Sequence, residues 1–144
     1  MEFDFNEDQK MLRDTARKFL EAECPPTKVR AVLDDADKTY DEALYAKLVE
    51  MGFTGAAVPE EFGGLGLGHL ELCVIAEELG RALAPVPFAS SIFLAAEALM
   101  IAGSDAQKAA WLPKLVSGEV IGTLAMSEGN GAPSARNVDM RFDG

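Results

Sequence analysis

A mostly α-helical body that gives way to the first strands of a β unit, and hence an α+β parent chain, is the fold class this sequence predicts. Three observations lead there. Apolar residues recur at helical spacing through most of the chain up to residue 116. The stretch Gly52 to Gly68 interrupts that pattern with six glycines and one proline among apolar residues, so it cannot be helix and is too hydrophobic for a solvent-exposed tether. Beyond Gly118 the periodicity changes to one that suits strands.

Asn6 and Gln9 predict a capping box that starts the first helix, with Met11, Leu12, Thr15, Ala16, Phe19 and Leu20 on its buried face. Pro25-Pro26 ends it, because neither nitrogen can donate. Val29, Val32, Leu33 and Ala36 predict a short helical turn or two before a charged bend at 34–38. Thr39 with Glu42 predicts a second capping box, and Leu44, Leu48 and Met51 the buried stripe of the next helix, closed by Gly52. The glycine-rich stretch then reads as a buried, ordered crossover that clamps two halves of a helical body.

Leu72, Ile75, Ala76, Leu79 and Leu83 mark a third helix, whose polar face carries Glu71, Glu77, Glu78 and Arg81. From Phe88 to Ile101 only Glu97 is charged, so this helix is expected to be central or covered by another domain or subunit, and isolation should expose a sticky surface. Gly103 closes it, and Ser104 with Gln107 predicts a further capping box. Residues 105–111 read as helix, Pro113 as the restart of a short turn, and Ser117-Gly118 as its stop. Val120, Ile121, Thr123, Leu124 and Met126 suit a strand. Two domains follow: a helical one at 1–118 and an incomplete β one at 119–144. The alternation from Asn137 to Gly144 resembles a strand just beginning, so a longer parent chain or a separate subunit is expected to complete the sheet.

Composition narrows the function. Thirteen Lys+Arg against 24 Asp+Glu leave a formal charge of −11, which argues against a general nucleic-acid surface. Cys24 and Cys73 lack ligand spacing and His69 is the single histidine, so no metal site is expected; Cys73 reads as a small hydrophobe on a helix face. The start lacks a secretory leader and no stretch reaches 18 uncharged apolar residues, so the expectation is a soluble, cytoplasmic chain.

Few residues stand out as chemistry. Gly63-Gly64-Leu65-Gly66-Leu67-Gly68 does not have dinucleotide spacing and follows no clean strand, which favours a structural crossover. The pairs Asp34-Asp35, Glu60-Glu61 and Glu77-Glu78 are sequence neighbours, which do not face each other across a cleft, so solvent-face or capping roles are expected. His69 has no triad partner in sequence. Ala125-Met126-Ser127-Glu128-Gly129-Asn130-Gly131 brings a hydroxyl, a carboxylate and an amide into a glycine-containing loop. Composition alone makes that an ordinary turn more often than a ligand site.

The order of segments adds a further signal. Phe5-Asn6-Glu7-Asp8-Gln9, Leu48 to Phe53 leading into Val58-Pro59-Glu60-Glu61-Phe62-Gly63-Gly64-Leu65-Gly66, Glu77-Glu78-Leu79-Gly80, Gly103 to Lys108, Trp111 to Leu115 and Ser117-Gly118-Glu119 together resemble the amino-terminal helical domain of the acyl-CoA dehydrogenase family. The resemblance implies an FAD enzyme that desaturates an acyl-CoA thioester between its α and β carbons. It also implies an electron-transferring flavoprotein as acceptor, a role in fatty acid and lipid metabolism, and a dimer or tetramer, homomeric or heteromeric. The catalytic base is expected in the carboxy-terminal domain, so no catalytic residue is assigned here. By the same resemblance Met126 and Ser127 lie by the flavin ring, with Ser127 also near substrate.

The motif then departs from the family pattern. Gly129 stands for proline, Gly131 for alanine, and Ala132-Pro133-Ser134 for Gly-Ser-Asp, so a one-residue shift is needed for Ser134 to act as the substrate-binding serine. The departure leaves open an enzyme for bulky acyl groups, a heteromeric assembly in which this subunit's site is degenerate, or a relative that has lost catalysis; the alternatives to the dehydrogenase itself are a flavoprotein oxidase of the same fold and a noncatalytic partner subunit.

Overall fold

The computed structural model describes residues 4–125, 128 and 140. Its order is α1 (Glu7–Glu23), α2 (Pro26–Leu33), α3 (Glu42–Glu50), 3-10 turns at Phe53–Gly55 and Glu60–Phe62, α4 (His69–Arg81), a π-helix at Ala89–Ala96, α5 (Glu97–Ala102) and α6 (Asp105–Val116). None of the described helices is long and apolar enough to cross a membrane. The helical body is as expected, and among the described residues no strand forms. Residues 121–125 run on without a ladder partner.

Local chemistry sets most helix ends. Asn6 and Gln9 form the expected reciprocal box, as do Ser104 and Gln107. The Thr39–Glu42 box is not formed: Asp41 is the N-cap of α3 and accepts from the Leu44 amide, because the bend at 34–40 delivers Asp41 rather than Thr39 to the helix start. α6 runs through Pro113 without a restart. The lost donor there is offset by Leu112 and Leu115, which are buried on either side of the proline. α4 stops at Arg81, and Leu83 adopts φ +51° with its side chain 72% exposed, so it is not part of the buried stripe. Its amide donates to Gly80 O and that of Ala84 to Leu79 O, a closing turn that usually takes glycine.

Two apolar clusters result. The larger joins α1, α3, α4 and the π-helix through Leu20, Leu44, Leu48, Phe53, Ile75 and Ile92; the smaller holds Val58, Ala96, Leu112 and Leu115. Each fully buried leucine contributes about 1.5–3 kcal/mol relative to exposure. Four residues expected on buried faces are displaced: Met11, Thr15, Met51 and Cys73 are exposed, because the buried arcs of α1, α3 and α4 are narrower than the sequence stripes. The crossover is buried from Phe53 to Val58 and exposed over most of its glycine-rich second half. At its centre a Cβ on Gly64 would collide with the Val58 carbonyl, so backbone lies directly on backbone.

The largest departure from expectation is Glu78. Far from lying on a solvent face, it is 0% exposed and grips two arginines. Arg17 Nε donates to Oε2 at 3.0 Å and its second nitrogen to Oε1 at 2.6 Å, while Arg81 Nε donates to Oε2 at 2.9 Å. The fork fixes α1 against α4. Hydrogen bonding from Arg17, then from Arg81, holds the Glu78 carboxyl below its ordinary value against the opposing effect of burial.

A folded-state value below the unfolded one gives stability that is complete above the ordinary glutamate value of 4.5 and is lost as pH falls through the folded value. Glu78→Gln is therefore expected to cost about 2–3 kcal/mol at neutral pH. Denaturant melts of both proteins should converge as the medium is acidified below that range; an equal gap at every pH would contradict the ion-pair account.

Candidate functional site: the handover after α6

The residues that leave the helical body are held by three elements. The Thr54 hydroxyl in the crossover donates to Val116 O at 2.7 Å, fixing the end of α6. Gly118 then turns with φ +70°, where a Cβ would meet Val49 Cγ2 at 2.9 Å and Tyr45 Cε1 at 3.6 Å on α3. Left-handed backbone packed this tightly suits glycine alone. The Val120 amide reaches back to Lys114 O at 3.3 Å.

From there the chain crosses the π-helix. The Gly122 amide donates to Ser91 Oγ at 3.0 Å, and Ser91 Oγ donates to Gly122 O at 3.4 Å. A Cβ on Gly122 would sit 2.6 Å from Ala95 Cβ and 3.0 Å from Leu115 Cδ2, so a side chain there would force the segment off the helix. Ser91 is 0% exposed. The wide turn of the π-helix turns Ser91 and Ala96, five residues apart, inward together. Beside Ser91 the buried Tyr45 hydroxyl has no aligned hydrogen-bond partner. Burial pushes its phenol up and the nearby Ser91 hydroxyl opposes that rise.

An apolar groove of about 500 Å³ runs beside this segment, lined by Ala95, Leu99, Trp111, Val120, Gly122 and Leu124 among others, none of them charged. Ile101 (75%) and Leu94 (41%) are exposed on the helix behind it. This is the uncovered apolar surface expected of the Phe88–Ile101 run.

Met126, Ser127 and Ser134, the residues expected at flavin and substrate, lie outside the described residues; the continuous description ends at Ala125. His69 begins α4 and pairs with Glu97 at 3.0 Å, clasping the start of α4 to the start of α5. Neither Ser91 nor Tyr45 belongs to a motif in the sequence. A serine in a run with a single charge was the available signal, since a buried hydroxyl there must find a partner.

Gly118→Ala adds both left-handed strain and the Val49 overlap, so a loss of about 2 kcal/mol is expected in thermal or chemical unfolding. An unchanged midpoint would show that the turn can relax freely.

With this geometry in hand, comparison with known proteins is specific. Residues 6–119 match the family described as acyl-CoA dehydrogenase, N-terminal domain. The (2S)-methylsuccinyl-CoA dehydrogenase of Cereibacter sphaeroides is 38% identical over 126 residues, 87% of this chain and 23% of that protein. Among solved structures, the ChsE4-ChsE5 complex from Mycobacterium tuberculosis superposes with TM-score 0.82 at 34% identity, covering 92% of this chain and 36% of that one. An acyl-CoA dehydrogenase from Bacillus anthracis, complexed with FAD, gives TM-score 0.75 at 28% identity over 90% of this chain and 22% of that one. The chain spans roughly a quarter to a third of the length of the curated relatives it matches. It belongs to the acyl-CoA dehydrogenase family, and what it carries is that family's amino-terminal helical domain.

Proposed function

We propose that this chain is the amino-terminal part of a cytoplasmic, FAD-dependent acyl-CoA dehydrogenase subunit that takes an acyl-CoA thioester to its α,β-unsaturated product. Its helical domain ends near Gly118, and the following residues begin a middle β domain. The observation that carries the reading is the handover: the segment that leaves the helical body is pinned at Gly118 and Gly122, four residues before Met126 in the sequence.

The chemistry of the described residues fits one end of FAD. Ile121, Thr123, Leu124 and Ala125 are uncharged and exposed, and the groove beside them carries no charge. Such a surface suits an uncharged ring system and offers no cation for a pyrophosphate. When bound, FAD supplies the acceptor for the hydride that leaves the β carbon. This chain's share is positional: the Met126 backbone and the Ser127 hydroxyl address the polar edge of the ring, and the helical body keeps that loop in place. The base that takes the α proton is assigned to residues beyond these 144.

The protein partner is an electron-transferring flavoprotein. Leu65, Leu67 and Leu70 stand exposed together at the entry to α4, with Leu65 lying over Gly52. Exposed leucines so close together favour a docking surface over a solvated loop. Assembly as a dimer or tetramer is supported by the exposed Leu94, Ile101 and Trp111.

A second reading is favoured by the departures at Gly129 and Ala132-Pro133-Ser134: a subunit that completes a heteromeric assembly without a competent site of its own. The ChsE4-ChsE5 neighbour is itself a complex of two named chains.

The protein, purified in its natural assembly, is expected to show a flavin spectrum that bleaches on adding acyl-CoA under anaerobic conditions. A flavin-free assembly, or flavin that no acyl-CoA reduces, rejects the reading; flavin held only by a partner subunit selects the second one. The double variant Leu65→Glu, Leu67→Glu should slow reoxidation by the electron-transferring flavoprotein about tenfold while acyl-CoA bleaching keeps its rate. Equal reoxidation rates would remove this patch from the docking surface.

A further inference from the structure

We propose that Ser91 is a positioning residue for the flavin-contacting loop, acting through the Gly122 backbone. The inference rests on the functional reading above and adds to it a side chain from the helical domain. Ser91 and Gly122 exchange two hydrogen bonds, at 3.0 and 3.4 Å, through a single hydroxyl. Gly122 has no side chain to hold it off the helix, and the 2.6 Å that a Cβ would leave to Ala95 sets how near the two backbones come. Gly122 lies five residues before Ser127 in the sequence, so a change at this anchor is passed on to the stretch that the functional reading assigns to flavin.

The pin also spares both groups a cost. With Ser91 fully buried, its hydroxyl needs a partner, and with Gly122 crossing an apolar groove its peptide needs one as well. Each meets the other's need. The Tyr45 hydroxyl on α3 lies near Ser91 without an aligned bond, so the two aligned bonds of Ser91 both go to Gly122. The π-helical turn is what aims Ser91 inward at this level.

The test uses the purified protein in its natural assembly and compares wild type with Ser91→Ala. Amide exchange at Gly122 should quicken about tenfold, and FAD should be held about tenfold more weakly with a shifted visible band, while exchange in α1 and α4 stays unchanged. The inference is overturned if Gly122 exchange is unaltered, or if it quickens while flavin affinity and spectrum stay as in wild type. Should Ser91→Ala fail to fold, Gly122→Ala displaces the same segment with Ser91 intact. It should reproduce the flavin changes, and Ala95→Gly should reverse them by removing the overlap; lack of either effect overturns the inference. A wild-type protein that holds no flavin overturns the functional reading and this inference with it, whereas normal wild-type flavin with an indifferent Ser91→Ala overturns the inference alone.

Discussion

The two apolar cores of this domain are joined where backbone rests on backbone. Phe53 and Ala56 of the crossover belong to the larger core and Val58 to the smaller, so a few residues serve both. That sharing holds only because Gly64 lets the returning chain lie against the Val58 carbonyl. Leu65, Gly66 and Leu67 then donate their amides back to Gly55, Val58 and Ala56, so the buried half of the crossover has its carbonyls satisfied by the exposed half. Without that close approach the buried peptide groups between 53 and 58 would face apolar side chains, at a cost of a few kcal/mol.

From this joint the remaining order follows outward. Thr54 passes the constraint to the end of α6, and the turn at Gly118 passes it to α3. On the opposite side the fork of Arg17 and Arg81 on Glu78 settles the pairing of α1 with α4. Gln9 adds to that pairing by donating to Glu71, whose second oxygen accepts from the Gly68 amide at the start of α4. The helical body is thus closed before the chain reaches residue 120, and the segment that leaves it does so from fixed points.

Reading the sequence captured those features that are decided within a few residues. The boxes of Asn6 with Gln9 and Ser104 with Gln107 depend on spacing three apart and formed as read. Asp41 displaced Thr39 because the choice between two neighbouring caps depends on how a bend is set, which spacing does not encode. Glu78 stands beside the buried Ile75 and Leu79 and three residues before Arg81, but its chief partner Arg17 lies some sixty residues away, where helical spacing gives no sign of it. The π-helix was illegible for a related reason. A run apolar on all sides has no periodicity to betray a wider turn. At the handover, helix end and change of pattern were both visible, whereas the roles of Met126 and Ser127 came from family resemblance and not from their spacing.

Leu83 shows how much of a helix terminus can belong to the whole fold. Its left-handed backbone is intrinsically unfavourable for leucine, and its side chain gains little by burial. The amides of Leu83 and Ala84 are nonetheless turned back onto Gly80 and Leu79, and Pro85 O accepts from Asp41 beyond them. An excised peptide carrying α4 would have no such anchor, and nothing within it would hold the reversal at Leu83. The length of α4 is therefore dictated from outside it, by the neighbour that catches the chain on its way to the next turn.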